Sequence, residues 1–321
     1  RHQFKENNEL NILLKENKFN ELAMLLGLKE IHINDNDFQE INEKFDENEL
    51  YSTWSADSFF FEMLSESTVN IGTEEKIDDK NKYKILDLKN GFLEFKDLAI
   101  DKLVNTYYPK GKFQGFLVPH EETITIAKNL EVKEGEDVIY RPTVMFIYSP
   151  CNYSVEYMKR SRVNDYLNPD INKPQDIDKP NGISIIRGFK YPENIEIIYK
   201  EQIKKGTEYV GVLLIGSKFN PVWVGNRIKK RFLYKNTASS FWQTPTITPV
   251  AISALAAICW MIKNKEKGGI YFPDDIKDYK EIINLSEKYI SKTIYRTFKK
   301  QKIEKSLCID IENLQFKDLL V

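Results

Sequence analysis

The stretch Tyr209-Val210-Gly211-Val212-Leu213-Leu214-Ile215-Gly216 is apolar nearly throughout. Such a run reads as a central strand covered on both faces, so it commits the chain to a layered structure around a sheet. With 321 residues, 41% of them hydrophobic, the chain can bury one large core or two modest ones and is too apolar for intrinsic disorder. Further strands are predicted at Ile31-His32-Ile33 and over 50–54, 113–118, 143–148, 183–189 and 195–199.

Leu10, Leu13, Leu14, Phe19, Leu22, Leu25 and Leu26 recur at helical spacing, predicting a helix over 6–26 that Gly27 stops. A second helix starts near Ser55 and carries residues 59–64. Asn34-Asp35-Asn36-Asp37 reads as an acidic turn, 71–90 as a polar loop, and 159–181 as a long Asn/Pro/Asp-rich surface excursion. Two helices, 249–262 and 276–288, precede a lysine-rich tail in which 299–305 reads as a solvated helix face. No internal repeat occurs. Strands mixed with helices in no strict alternation predict an α+β fold, of the broader α/β group, on a mixed sheet. The division expected is a mixed-sheet domain, 1–245, with a C-terminal helical arm, 246–321, or one domain throughout.

Lys plus Arg number 47 against 48 Asp plus Glu. That balance argues against a general nucleic-acid binder, whose affinity rests on excess cations. Cys151, Cys259 and Cys308 are widely spaced and odd in number, and no Cys/His cluster occurs. Neither a disulfide framework nor a metal site is predicted, and a reducing cytoplasm is the default. Residues 236–262 carry no charge, but the apolar part begins only at Pro249 and falls short of the about 20 residues a membrane span needs. Thr248-Pro249 reads as an N-cap with proline at the first helical position, and the segment as a buried core helix of a soluble protein. No G-x-G-x-x-G or G-x-x-x-x-G-K-[ST] occurs, so no dinucleotide turn or P-loop is predicted. The chain opens Arg1-His2, without Met or a signal-peptide pattern, and a lost upstream segment is expected.

Three short clusters could carry chemistry. In the first, Trp54 stands at a strand end just before a helix, and Glu62 is set among Phe59, Phe60, Phe61, Met63 and Leu64. If Glu62 points inward it must pair with a cation or hold a proton; the blander arrangement buries the apolar residues and leaves Glu62 in water. The second ends the strand Gly115-Phe116-Leu117-Val118 in Pro119-His120-Glu121-Glu122, where His120 is either a proton shuttle or a turn residue with a satisfied hydrogen bond. The third runs Tyr140-Arg141-Pro142-Thr143 to Ser149-Pro150-Cys151-Asn152, with Arg141 read as structural and Cys151 as packing. Several carboxylates, one tryptophan and one histidine suit a cationic amine, whose ammonium can rest on the indole face.

These blocks, in order, resemble the bacterial NAD-dependent homospermidine synthases. The resemblance is carried by Thr53-Trp54-Ser55 with Glu62 downstream, Gly115-Phe116-Leu117-Val118 with His120 and Glu122, Tyr140-Arg141-Pro142-Thr143 and Pro150-Cys151-Asn152. Gly211-Val212-Leu213-Leu214 with Gly216, Trp223 with Gly225, Asn236-Thr237-Ala238, the helix over 250–260 and Gly269-Ile270 complete it, over about residues 20–290. That family is similar to saccharopine dehydrogenases: a Rossmann domain holds NAD and a second domain shapes the substrate pocket. The resemblance implies an aminoalkyl transferase of polyamine biosynthesis, joining two putrescines into homospermidine with loss of ammonia. It implies Trp54 as the platform for the substrate ammonium, Glu62 as a catalytic pocket carboxylate and His120 as a proton-transfer residue. Asp35 falls where the family has a glutamate and is implied as an amine anchor of shorter reach; Glu122 matches a family glutamate.

The departures matter as much. The glycine-rich nucleotide domain has no counterpart, and the excursion at 159–181 and the residues near Phe241-Trp242 differ from the pattern. The expectation is therefore the substrate half of such an enzyme, with NAD held by a Rossmann domain outside this chain or paired in trans, and homo-oligomerisation as in the family. Two alternatives stay open: a non-catalytic polyamine-binding or interaction module, and a related imine reductase acting on a carboxynorspermidine-type or saccharopine-type product.

Overall fold

The computed structural model describes residues 8–41, 46, 48–87, 89–163, 185–199, 202–229, 244–265, 268–269, 276 and 279–321. Expectations placed on 164–181, Ile183, Asn236-Thr237-Ala238, Phe241-Trp242 and Ile270 lie outside them.

A ten-stranded mixed sheet organises the described residues. Its strands in chain order are β1 (Leu28–Ile41), β2 (Glu66–Asn70), β3 (Tyr83–Asp87), β4 (Phe92–Leu98), β5 (Leu103–Tyr108), β6 (Gly111–Leu117), β7 (Thr143–Ser149), β8 (Ile203–Gly216), β9 (Val222–Lys229) and β10 (Ile294–Thr297). Across the sheet they run β10-β9-β8-β1-β7-β2-β4-β3, with β6 also on β7 and β5 on β6. Only the central pair β1–β7 is parallel; its neighbours are antiparallel. The predicted central strand is thus β8, between β1 and β9. Opposed Gly211 and Gly225 let the Trp223 indole lie across both strands: a Cβ at Gly211 would stand 2.5 Å from that ring.

The helices are α1 (Asn8–Lys15), α2 (Phe19–Leu25), α3 (Ala56–Met63), α4 (Glu122–Asn129), α5 (Asn152–Ser161), α6 (Ile247–Lys263), α7 (Tyr279–Glu287) and α8 (Lys300–Leu307). Ser55 caps α3, accepting from the Ser58 amide at 3.3 Å, so that helix begins where its cap residue demands. Phe59, Phe60 and Met63 turn into the core while Phe61 stays half exposed.

Several expectations are corrected. The helix over 6–26 is two helices, broken at Asn17, whose φ of 58° a continuous helix cannot hold. Residues 71–90 include a strand, β3, paired with β4. Asn34-Asp35-Asn36-Asp37 is no turn: all four lie inside the 14-residue β1, where neighbours on both sides override the turn preference of Asn and Asp. The helix expected over 249–262 begins at Ile247, and Thr244, not Thr248, accepts from its first amide at 3.0 Å. Nor is it a core helix. Among its residues only Ala256 and Trp260 are buried, and Val250 and Ile262 are 71% and 69% exposed. No helix among the described residues is long and apolar enough to cross a membrane. The arm 246–321 is more than helical: it supplies edge strand β10, and Ile303, Leu307, Phe316 and Leu319 join the main core with Leu213 and Trp223. Residues 299–305 are accordingly only partly solvated.

Side chains alternate along β1. His32 and Asn34 meet β5 on one face, while Ile31 and Ile33 meet Val144, Val212 and Ala127 on the other. The second face, at its polar end, carries Asp35 and Asp37.

Candidate functional site

Two consecutive odd positions of β1 put Asp35 and Asp37 on one face near the carboxyl ends of the parallel pair β1–β7. In open α/β sheets such ends are where ligands bind. The register sets Glu208 of β8 directly opposite Asp37, and Tyr148 of β7 beside Asp35. Asp37 and Glu208 are almost wholly buried, at 3% and 1% exposed; Asp35 is half-buried, with Oδ1 sealed. Asp35 Oδ1, Asp37 Oδ1 and Glu208 Oε2 have no hydrogen-bond partner among the described residues.

Three carboxyl groups so placed resist ionisation. Burial, then the charges of Asp37 and Glu62, push Asp35 up to about 7. Burial pushes Asp37 up to about 6 against the hydrogen bonds of Thr53, Gln39 and Thr246. Glu208 lies well above the carboxylate range, from burial and from the charges of Asp35 and Asp37.

The sequence-derived residues converge on this patch. Glu62 of α3 is half-buried, and burial raises it to about 7, with His120 opposing. The apolar half of the blander arrangement holds, with Phe59, Phe60 and Met63 fully buried, while Glu62 lies between core and water. His120, just after β6, stacks on Phe146 at 4.0 Å between ring centroids and donates through Nδ1 to Glu122 at the start of α4. Burial works against its charge, but Glu122, Glu121 and Glu62 outweigh that and raise its pKa. The same hydrogen bond lowers Glu122. His120, Glu121 and Glu122 also bring ligand atoms within 4.8 Å of one another, close enough to hold a metal ion where the sequence reading expected none. Trp54 is half-buried; its Nε1 donates to the Tyr148 hydroxyl at 2.8 Å, with the rings edge to face at 6.4 Å. Tyr148 in turn lies within electrostatic reach of Asp35 and Asp37.

Asp35, Glu62 and His120 therefore lie within electrostatic reach of one another, Glu122 joins them through His120 and Trp54 through Tyr148. The sequence reading gave no site role to Asp37, Glu208, Tyr148 or Thr246, nor to Thr53, which it named only as part of the Thr53-Trp54-Ser55 block. Only Asp37 left a signal, two residues after Asp35, and it becomes legible once that stretch is a strand. Arg141 is structural: it donates to Ile71 O at 3.0 Å and pairs with Glu131 at 2.8 Å. Cys151 is buried against Ser154, and burial pushes its thiol up to about 12, in keeping with a packing role. A cavity of about 550 Å³ bordered by Ile100, Phe116, Val155 and Phe189 shares no residue with the acids.

Chemically the patch has five carboxyl groups, Asp35, Asp37, Glu62, Glu122 and Glu208, against one imidazolium, which Glu122 already pairs, and the other four form no ion pair with a described Lys or Arg. Unpaired buried acids either keep protons or wait for a cation. A dinucleotide pyrophosphate would be repelled here, and the sequence has no glycine-rich cradle for one, so these residues do not fit NAD itself.

The fold and site define a mixed-sheet α/β protein with a cluster of buried acids at strand carboxyl ends. In sequence and fold it is homospermidine synthase-like. No family model matches the chain. It is 25% identical over 266 residues to the homospermidine synthase of Mesorhizobium japonicum, covering 82% of this chain and 49% of that protein. With that of Blastochloris viridis it is 25% identical over 275 residues, 85% of this chain and 52% of the other. The chain spans about half the length of the curated relatives it matches. A crystal structure of homospermidine synthase from Legionella pneumophila in complex with NAD superposes with a TM-score of 0.76 at 24% identity, covering 97% of this chain and 65% of that one.

Proposed function

We propose that this chain binds an aliphatic diamine of the putrescine type and serves as the substrate half of a homospermidine synthase-like, NAD-dependent aminoalkyl transferase. One observation carries the reading: Asp35, Asp37, Glu62 and Glu208 form a chain of mutually interacting acids that Tyr148 joins to Trp54, with no ion pair to a Lys or Arg among the described residues. A primary ammonium supplies positive charge and three N–H donors, and an indole face accepts it as well. Glu62, near 7, exchanges protons at neutrality, which suits proton transfer at a reacting amine nitrogen. His120, held toward its charged form by Glu122, sets the field at Glu62.

NAD would be held by a nucleotide-binding unit outside the described residues, in the same polypeptide or in trans, and homo-oligomerisation is part of the same proposal. Here the chain's own part is to bind and orient the amine and to move protons at its nitrogen. The test is calorimetric titration with putrescine, followed by product analysis after incubation with putrescine and NAD. Binding together with homospermidine and ammonia supports the reading in full. Binding without product favours a polyamine-binding module, a second reading that the half-length match supports. No binding refutes both. Within an active preparation, Glu62→Gln is expected to cut turnover strongly at neutral pH; an unchanged pH profile counts against a catalytic carboxylate there.

A further inference from the structure

Thr53, the residue just before Trp54, is 1% exposed and is held by hydrogen bonds from both its side chain and its carbonyl. Its hydroxyl donates to Asp37 Oδ2 and accepts from Thr246 Oγ1 at 3.2 Å, while its carbonyl accepts from Thr244 Oγ1 at 2.9 Å. Thr246 accepts in turn from Gln39 Nε2 at 2.9 Å. A buried chain of donors therefore runs from Gln39 through Thr246 and Thr53 to one oxygen of Asp37. Its direction is set at the outer end: an amide nitrogen only donates, so each hydroxyl passes its single proton inward. Such chains polarise from link to link, and a hydrogen bond to the ionised form of a carboxyl favours that form. The other oxygen of Asp37, Oδ1, has no hydrogen-bond partner among the described residues.

We propose that Thr53 is a positioning residue: its hydroxyl delivers this donor chain to Asp37 and makes that carboxyl the standing negative charge toward which a substrate ammonium is drawn. This role rests on the amine-binding reading of the site and adds which acid carries the charge and what holds it there. Facing Asp37 are Asp35 on its own strand, Glu208 from β8, Tyr148 from β7 and Cys151 before α5, none of them a cation. Glu62 and His120 act one step further out, on Asp35. The order of titration agrees with the geometry. Burial raises Asp37 only to about 6, with the Thr53 bond the foremost effect opposing it, against about 7 for Asp35. Through Thr244 and Thr246 the turn that opens α6 belongs to the site as well.

Two measurements on the chain test this. In carbon-13 NMR of the ligand-free chain labelled at its aspartate carboxyl groups, the Asp37 signal is identified by its loss in Asp37→Asn. Thr53→Val removes the donor, so the Asp37 titration midpoint is expected to rise by about half a pH unit or more. Thr53→Ser keeps the hydroxyl and is expected to restore it. An unmoved midpoint in the valine variant, or a serine variant that behaves like it, overturns the proposal. The affinity for 1,4-diaminobutane is then followed calorimetrically against pH. Its fall on the acid side is expected to shift upward with the Asp37 midpoint in Thr53→Val and to return in Thr53→Ser, which a merely packing role would not require. Diamine binding whose pH dependence ignores Thr53→Val overturns the role of Thr53 alone. A wild type that binds no diamine at any pH sinks the amine reading and the recognition role with it, while the carboxyl titration still decides whether Thr53 governs the charge of Asp37. If Thr53→Val does not fold, Thr246→Val breaks the chain one link further out and is read in the same way: a smaller rise is expected, and no rise overturns the proposal.

Discussion

The two faces of β1 are both polar where a sheet core is ordinarily apolar, yet they are built to opposite ends. On one face Glu30, His32, Asn34 and Asn36 are all fully buried. His32 Nδ1 meets Thr106 Oγ1 at 2.8 Å, Asn34 donates to Tyr107 O at 3.3 Å, and Asn36 to Tyr209 O at 3.4 Å. These are mostly neutral groups, and each of the three has one such bond, although His32 Nε2 and Asn36 Oδ1 find no partner among the described residues. Its one acid, Glu30, is pushed well up, by burial first and then by the charge of Glu75; neither of its oxygens has a hydrogen-bond partner among the described residues, and His32 Nε2 stands 3.8 Å from Oε2. On the other face Asp35 and Asp37 meet Glu208 and Glu62, groups that only a proton or a cation can satisfy. The difference teaches that neither buried polarity nor a single buried acid such as Glu30 by itself marks a site; the convergence of several acids at strand carboxyl ends, with no ion pair to a described Lys or Arg, is what sets the second face apart.

The largest effect expected to sharpen this contrast is on the structural face. His32 is held neutral, burial pushing it down to about 3 from an unfolded value near 6.5. Its contribution is present above the unfolded value and is lost as pH falls from about 6.5 toward 3, by up to about 4 kcal/mol. Urea unfolding at a series of pH values should show the acid-side loss reduced in His32→Gln. The acids of the site carry the opposite sign. Asp35, Asp37 and Glu62 titrate at about 7, 6 and 7, above their unfolded values, so their contribution is present below about pH 4 and is lost as pH rises through 6–7.

Next in size, Asp35→Asn should weaken diamine affinity about 100-fold in calorimetry, the loss of one charge-assisted contact. The same change should stabilise the ligand-free chain at pH 8 by about 1–2 kcal/mol, discounted for the partial exposure of Asp35. Unchanged affinity would put the amine elsewhere. Thr106→Val strips the hydroxyl that joins His32 to Asn34, and should cost about 1–2 kcal/mol in urea unfolding while leaving diamine affinity as it was. A fall in affinity there would erase the distinction between the faces. Smallest, Trp54→Leu should lower diamine affinity about 3- to 30-fold, the range of a cation–π contact, with little change in stability.

How much of this could be read beforehand varies from residue to residue. Ser55 announced α3, and the apolar run at 209–216 announced β8, because capping and burial patterns are local. Trp54, Glu62, His120 and Glu122 could be picked out through the ordered blocks of the homospermidine synthase resemblance. Asp37 was hidden by the turn-like Asn-Asp repeat, and Glu208 by its place at the head of an apolar strand. Thr246 was passed over because Pro249 suggested a later helix start.

The sequence alone determined the presence of a layered mixed sheet, the capped helix after Trp54 and the stock of acids from which a site could be made, since these follow from composition and short-range periodicity. Only the tertiary structure decided that Asp35, Asp37 and Glu208 stand together. Strand register, set by neighbours more than a hundred residues away in the chain, chooses which alternating side chains share a face. Whether a carboxyl group is an ordinary surface charge or half of a cation site is settled by that choice.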